Sequence, residues 1–221
     1  MTRNLKALGL ALIAVLAMSA LVASAASAHT PAKFTVGKEK SEIVGEETVK
    51  NNFKVTGVET TCEEVNFTGT TPAGTVEAET QTITPSYKKC TAESIFGTIE
   101  VTVTGFAAGE CDYRLNANET ADLECAAGKE VTVDAATCTI HVPPQKGLGK
   151  ITFTTGLTEG RHDLTVHVEL TKVKTNHTDG FGCPLPSGGE SVEATLSGTT
   201  TVSATNPPGV KVDLTWDATV A

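Results

Sequence analysis

The chain has 221 residues, 5% of them aromatic, and a formal net charge of −9. Without its first 28 residues, which have the features of an export signal, 193 residues remain, with 15 Lys and Arg against 26 Asp and Glu, so the net charge becomes −11. This negative charge argues against nucleic acid and anionic membrane surfaces as partners. The length corresponds to one large domain or two small ones.

The N-terminus predicts a secretory signal peptide over residues 1–28. Arg3 and Lys6 give a basic start, an apolar run follows from Leu8 to Val22, and Ala26-Ser27-Ala28 offers small residues for cleavage. A retained membrane anchor needs about 20 apolar residues with charges after them, whereas small residues follow here. We therefore expect cleavage and secretion into the extracellular space.

From residue 29 onward, apolar and polar residues alternate with a period of two, which is typical of β-strands. Threonine accounts for 36 of these 193 residues, and Thr is favoured on exposed strand faces. The strands predicted in chain order are 53–55, 65–67, 75–84, 99–103, 131–133, 151–153, 164–170, 192–204 and 210–216. The residues predicted to face inward are Ile99, Val101, Val103, Leu164, Val166, Val168, Val212, Leu214 and Trp216.

Many short strands separated by Gly, Pro and Asn are typical of a sandwich or barrel. We expect an all-β fold, a two-layer antiparallel β-sandwich with Greek-key or jelly-roll connections, stapled by disulfides. Residues 29–221 are expected to form one domain. A Pro- and Gly-rich segment makes a subdivision near residues 143–149 the alternative.

Six cysteines follow the signal, and an even number of Cys in an exported chain predicts three disulfides. Cys111 and Cys125 both share the phase of the apolar residues around them. If residues 116–120 form a hairpin loop, these two cysteines lie directly opposite each other on paired strands. A Cys111–Cys125 bond is therefore expected.

Cys62 and Cys90 flank the preceding pair of strands, so a bond between them would close about 28 residues and contribute roughly 3.6 kcal/mol. Cys138 and Cys183 are left by elimination. This set is one of the fifteen pairings that six cysteines allow. The sequence favours it without excluding the others.

A pattern of Cys, aromatic and Gly positions runs through residues 53–155. Its segments are Cys62-Glu-Glu-Val-Asn-Phe67-Thr-Gly69, Thr84-Pro85-Ser-Tyr87-Lys-Lys-Cys90, Glu110-Cys111-Asp-Tyr113, Cys125-Ala-Ala-Gly128 and Cys138-Thr-Ile-His-Val142, followed by Gln145 and Gly147-Leu148. The pattern resembles a group of secreted, β-rich actinobacterial proteins without an assigned function. The resemblance implies export, disulfides and β structure, and it supplies no active site. Glu110 stands where the group commonly has Gly.

Cleavage after Ala28 would make His29 the N-terminal residue, whose amine and imidazole could chelate copper. The second ligand could then be His141, His162, His167 or His177. Secreted lytic polysaccharide monooxygenases use such a brace on a β-sandwich. However, cleavage after Ala25 fits nearly as well, and two Tyr and one Trp supply little of the flat aromatic surface that polysaccharide binding needs. The copper enzyme is therefore the alternative hypothesis.

His167 and Glu169 lie two residues apart on one strand, so both side chains point to the same face and could bind one metal ion. The neighbouring Thr residues on that face favour an ordinary solvated surface instead. The segment Asn176-His-Thr-Asp-Gly180 resembles part of a calcium loop but lacks the spaced carboxylates and the final Glu. We expect an Asx turn there.

Two pairs of adjacent carboxylates, Glu46-Glu47 and Glu63-Glu64, would point to opposite faces of their strands, so neither pair suits acid–base catalysis. We interpret them as surface charge. The sequence offers no hydrolase motif, and no cofactor is expected. The favoured hypothesis is a non-catalytic binding or structural module with an extracellular ligand or protein partner.

Overall fold

The computed structural model describes residues 31–56, 58–71, 74–94, 97–135, 138–179, 183, 185, 192–207 and 209–218. The predicted signal over residues 1–28 and His29 lie outside this part of the chain. Ala32–Ala218 form one compact unit. The regular structure of the described residues is entirely β, as predicted, and they contain no helix long and apolar enough to cross a membrane.

The alternation of small β-branched and polar residues produces sixteen strands in the described part. In chain order they are β1 Lys33–Val36, β2 Glu42–Val55, β3 Val58–Thr70, β4 Glu77–Ala78, β5 Thr80–Ser94, β6 Gly97–Thr104, β7 Cys111–Asn116, β8 Thr120–Cys125, β9 Val131–Ala135, β10 Cys138–Val142, β11 Gln145–Leu148, β12 Lys150–Thr158, β13 Arg161–Asp179, β14 Val192–Asn206, β15 Val210–Val212 and β16 Leu214–Asp217.

The strands form two antiparallel sheets. In the larger sheet, eight strands pair in a closed ring in the order β5-β3-β2-β14-β13-β10-β9-β6, and β6 pairs again with β5. The first part of β5 also pairs with β7, which leads to β8 and β11, while β12 and β15 pair with β13 and β14. The smaller sheet has the order β16-β1-β4. Because side chains alternate across each strand, a closed ring directs every second residue into its interior.

All nine residues predicted to face inward lie in the hydrophobic core or pack against it. The smaller sheet joins this core through aromatic contacts. The Phe34 ring of β1 meets the Phe153 ring of β12 at 5.0 Å between centroids, and Phe153 lies 5.5 Å from Trp216 of β16. The Trp216 indole also donates a hydrogen bond of 2.9 Å to the carbonyl of Ala117. The two sheets therefore share one core.

Three disulfides join Cys62 to Cys90, Cys111 to Cys125 and Cys138 to Cys183, which are the pairs that the sequence favours. Cys111 lies directly opposite Cys125 in the β7–β8 register, as predicted, and Cys62 lies directly opposite Cys90 in the β3–β5 register. All six cysteines lie in the described residues and none is free.

The strand predicted over residues 210–216 is two strands that belong to different sheets. The break falls at Asp213, which connects β15, a partner of β14, to β16, a partner of β1. The Asp213 carboxylate accepts a hydrogen bond of 2.8 Å from the His162 backbone NH, and its carbonyl accepts one of 2.8 Å from Gly37. Neither hydrogen bond belongs to the strand pairing. At Asp213, where both bonds are made, the chain passes from the larger sheet to the smaller one.

The Asx turn predicted for residues 176–180 is wrong for the four residues that the structure describes, since Gly180 lies outside them. Residues 176–179 continue β13, where Asn176 lies opposite His141 and Asp179 opposite Cys138 of β10. Thr175 and His177 are buried and Asn176 is exposed. The period-two alternation of β13 therefore persists through this polar segment.

Residues 143–149, the predicted position of a subdivision, contain β11. Its residues Gln145 and Leu148 pair with Leu123 and Ala121 of β8. Leu148 belongs to the hydrophobic core. This segment therefore contributes a strand to the larger sheet.

Candidate functional site

The edge of β2 that faces β14 is irregular between Glu46 and Asn52. Over this stretch β2 carries one residue more than β3 and two more than β14. The extra residues bulge outward, so that Thr48, Val49 and Lys50 are exposed, Val49 by 59%. β-Bulges of this kind redirect the side chains that follow them.

The bulge brings Asn51 into the interior. The Glu47 carboxylate accepts a hydrogen bond from the Asn51 backbone NH and so closes the bulge. The Asn51 side chain is 6% exposed and packs on Gly198, where an added Cβ atom would lie 2.6 Å from Oδ1 of Asn51. Among the described residues, Nδ2 of Asn51 has no hydrogen-bond partner. A polar group with an unused donor therefore lies inside an apolar core.

Two adjoining cavities meet at Asn51. The centre of a water molecule can reach about 50 Å³ in the first and about 40 Å³ in the second. Each value exceeds the roughly 10 to 15 Å³ that one water molecule needs by this measure, so each cavity has room for a small organic group. Both cavities are lined by Asn51, Tyr87, Tyr113, Leu170 and Leu196. Most of the remaining lining is apolar.

The tyrosines on this shared wall are the only two in the chain. The hydroxyl groups of Tyr87 of β5 and Tyr113 of β7 lie close enough to interact with each other. The Phe106 ring packs against both, with its centroid 5.6 Å from that of Tyr87 and 5.3 Å from that of Tyr113. Burial raises the pKa of Tyr113 to about 12 and raises the pKa of Tyr87 well above its usual value of 10. Both phenols are therefore protonated at neutral pH.

Thr60 of β3 adds a second polar group to the first cavity. It is 2% exposed, and its Oγ1 has no hydrogen-bond partner within the described part of the chain. In the β2–β3 register Thr60 lies opposite Phe53, which makes it the diagonal neighbour of Asn51 on the inner face. Asn51 and Thr60 therefore form a polar end in a cavity that is otherwise lined mostly by apolar groups.

The sequence-predicted metal pair lies elsewhere, on the outer face of β13. Nε2 of His167 lies 3.3 Å from the Glu169 carboxylate, and Nδ1 lies 2.9 Å from the Thr199 hydroxyl. The two side chains are 47% and 61% exposed. The described residues contain no group of three or more His, Cys, Asp or Glu that could hold a metal ion.

The other histidines considered as copper ligands occupy separate positions. Nδ1 of His141 lies 2.8 Å from the carboxylate of Glu130, and Nδ1 of His162 lies 3.2 Å from that of Asp213. His177 is buried in β13. Because His29 lies outside the described residues, the copper brace stays a prediction.

The adjacent carboxylates differ in environment. Glu46 and Glu63 are exposed, and Glu64 forms an ion pair with Lys89, as expected for surface charge. Glu47 departs from that expectation because its Oε2 atom is buried while Oε1 closes the bulge. The carboxylate of Glu47 therefore has a structural role inside the fold.

The residues of the cavity wall were not singled out by the sequence reasoning. Tyr113 shares the inward phase of Cys111 and Leu115, which places it in the core without indicating a cavity. Asn51 precedes the apolar residues Phe53 and Val55 in the same phase. A polar residue in the inward phase of a strand was the signal that could have found it.

Comparisons with known proteins assign no family to this chain. No protein-family model matches it, and no curated protein and no solved structure is significantly similar to it. The paired cavities and the polar groups on their walls are therefore the basis for the functional argument.

Proposed function

We propose that this protein is a secreted, non-catalytic binding module that holds a small, mostly apolar molecule inside its ring of strands. The observation that carries the proposal is the pair of adjoining apolar cavities. Protein interiors are normally close-packed, with few voids larger than a water molecule, and an empty cavity lowers stability in proportion to its volume. A ligand would restore the missing contacts.

The extracellular part of the proposal is supported by the three disulfides and by the signal features of residues 1–28. Disulfides persist in oxidising compartments and are rare in the cytosol. Such cross-links would also stabilise a binding protein in an extracellular medium, because each one lowers the conformational entropy of the unfolded chain.

The non-catalytic part is supported by the chemistry of the shared wall. General acids and bases work best when their pKa lies near the ambient pH. The raised pKa values of Tyr87 and Tyr113 keep both phenols protonated, so at neutral pH they serve as hydrogen-bonding and packing groups.

We further propose that the ring is flattened into the two facing layers of a β-sandwich with Greek-key or jelly-roll connections. β5 and β13 lie four places apart in the ring of eight strands, on opposite sides of it. Tyr87 of β5 and Leu170 of β13 nevertheless line the same two cavities. Side chains from opposite arcs of the ring thus approach each other across the interior.

Benzene binding tests the proposed function. With ¹³C-labelled tyrosine the protein should give two phenol resonances, both from the cavity wall, and benzene should shift them until the site is saturated. Val133 lines the first cavity and not the second, so Val133→Phe should fill the first cavity and reduce the shift. Val44→Phe, the same change at an exposed position of β2, is the matched control and should leave the shift intact. Unshifted tyrosine resonances in the wild type would overturn the proposal.

The copper enzyme remains the second candidate because His29 follows a suitable cleavage site. It requires one-to-one copper binding with sub-micromolar affinity in the mature protein, equivalent to about −8 kcal/mol or better. A His29→Ala change should then remove most of that affinity. Copper binding that is weak or unaffected by this change would support the binding module instead.

A further inference from the structure

The first cavity has a polar end that an entirely apolar ligand would leave unsatisfied. Asn51 and Thr60 are more than nine-tenths buried, and both line the cavity. Neither Nδ2 of Asn51 nor Oγ1 of Thr60 has a hydrogen-bond partner among the residues that the structure describes. Buried polar groups without partners are rare in folded proteins because each one loses its hydration without compensation. These two groups therefore point to a partner that a ligand supplies.

We infer that the ligand carries an oxygen atom that accepts hydrogen bonds from the Asn51 amide and the Thr60 hydroxyl, as the carbonyl oxygen of a small cyclic ketone would. This inference rests on the proposed function. An amide nitrogen and a hydroxyl both donate, so a single acceptor oxygen complements the two. The rest of the ligand fills the apolar part of the cavity.

The same surroundings make the ligand uncharged. No Asp, Glu, Lys, Arg or His is among the described residues that line either cavity. An ion in such a place would lose its hydration without a counter-charge, which is far more costly than burying a neutral carbonyl group. Glu47 is not among the residues that line either cavity, and its Oε1 accepts the hydrogen bond of the Asn51 backbone NH.

Tyr87 and Tyr113 also line the site. The hydroxyls of Tyr87 and Tyr113 lie close enough to interact with each other, whereas Nδ2 of Asn51 and Oγ1 of Thr60 have no partner among the described residues. We assign recognition of the oxygen to Asn51 and Thr60, and we assign contact with the apolar body of the ligand to the aromatic rings.

Two probes of nearly equal shape test this inference. Cyclohexanone carries a carbonyl oxygen, and methylenecyclohexane carries a CH₂ group in its place. Their dissociation constants are measured on the wild type and on Asn51→Leu through the two labelled tyrosine resonances. The ratio of the two affinities is compared between the proteins. A substitution that alters purely apolar binding changes both affinities alike and so leaves this ratio unchanged. Loss of one neutral hydrogen bond should lower the preference for the ketone by about tenfold in Asn51→Leu.

Thr60→Val is the second variant, because it removes the hydroxyl with little change of shape, and it should also lower the ketone preference. Thr61→Val, on the adjacent residue of β3 with its side chain on the opposite face, is the matched control and should leave the preference unchanged. An unchanged preference in both Asn51→Leu and Thr60→Val would overturn the inference while the proposed function stands. Failure of the wild type to bind either probe would overturn the proposed function itself.

Discussion

Two polar sites of this protein, one inside the ring and one on its surface, differ in how far their side chains are exposed to water. On the outer face of β13, His167 and Glu169 are about half exposed and have water as an alternative partner. On the inner face of β2, Asn51 is 6% exposed and its Nδ2 lacks a partner among the described residues. His167 and Glu169 are recognisable in the sequence as candidate metal ligands. The polar group that lacks a hydrogen-bond partner among the described residues is nevertheless the buried amide of Asn51.

This difference has a thermodynamic basis. An exposed polar group exchanges protein partners for water at little cost, so its presence demands no explanation. A buried one destabilises the folded state unless something binds it, so it requires a compensating contact. The inner site is therefore the more informative of the two, and the following predictions test that difference.

The largest effect on stability is expected on β13, because its inner face belongs to the interior and its outer face carries His167 and Glu169. Val166 is 2% exposed and lines the second cavity. Val166→Asp should destabilise the protein by more than about 4 kcal/mol or prevent folding, because an unpaired charge would enter the apolar interior. Thr165→Asp, one residue away on the outer face, should change stability by less than about 1 kcal/mol. Urea unfolding followed by Trp216 fluorescence measures both, and equal losses would mean that the assignment of faces is wrong.

Alkaline pH should weaken the inner site selectively. Tyr113 has a pKa of about 12 when folded and about 10 when unfolded, so its contribution is fully present below pH 10 and is lost as the pH rises toward 12. The expected loss for this residue is about 2 to 3 kcal/mol in the free energy of unfolding. Tyr113→Phe should remove this contribution and leave that of Tyr87, whose pKa burial also raises. Tyrosinate absorbance that develops near pH 10 in the folded protein would contradict the prediction.

A smaller effect is expected at Gly198, the residue on which Asn51 packs. An added Cβ would lie 2.6 Å from Oδ1 of Asn51, so Gly198→Ala should displace that side chain and cost about 1 to 3 kcal/mol. Gly156→Ala is the matched control, since the nearest atom to its Cβ would be 4.0 Å away. Combining Gly198→Ala with Asn51→Ala should restore part of the lost stability. The melting temperatures of the four variants decide whether these two residues are coupled.

The smallest effect is expected on the outer face. His167→Ala removes a side chain that is 47% exposed, so stability should change by no more than about 0.5 kcal/mol. The two tyrosine resonances and the binding of benzene should also stay as in the wild type. A loss of benzene affinity in this variant would couple the outer face to the interior and remove the contrast between the two sites.

The sequence predicts well those features that follow from local alternation. The opposition of Cys111 and Cys125 and the inward direction of Val166 both depend on a period of two that holds across their own strands. The position of Asn51 depends on a bulge whose register against β14 is set by residues far away in the chain. The cavities depend on the closed ring, which joins strands that the sequence cannot pair, and so they could not be predicted.

The change of sheets at Asp213 is a further case. Val210, Val212, Leu214 and Trp216 keep one phase, so the pattern predicts a continuous strand. The hydrogen bonds of Asp213 to His162 and Gly37 connect distant parts of the chain. The alternation of apolar and polar residues indicates which face of a strand is apolar. It does not indicate which other strand will pair with it.

The pairing of β2 with β14 has a consequence for the time course of synthesis. Val55 lies opposite Ala194, so 139 residues must follow Val55 before its partner exists. At a typical translation rate of about 5 to 20 residues per second, the edge of β2 that pairs with β14 stays without its partner for roughly 7 to 28 s. The other edge can pair with β3 as soon as β3 has been synthesised. Exposed strand edges invite pairing with other chains, and bulges and charged residues discourage it. The bulge at Thr48–Lys50, with Glu46 before it, would protect the nascent chain from misassembly during that interval.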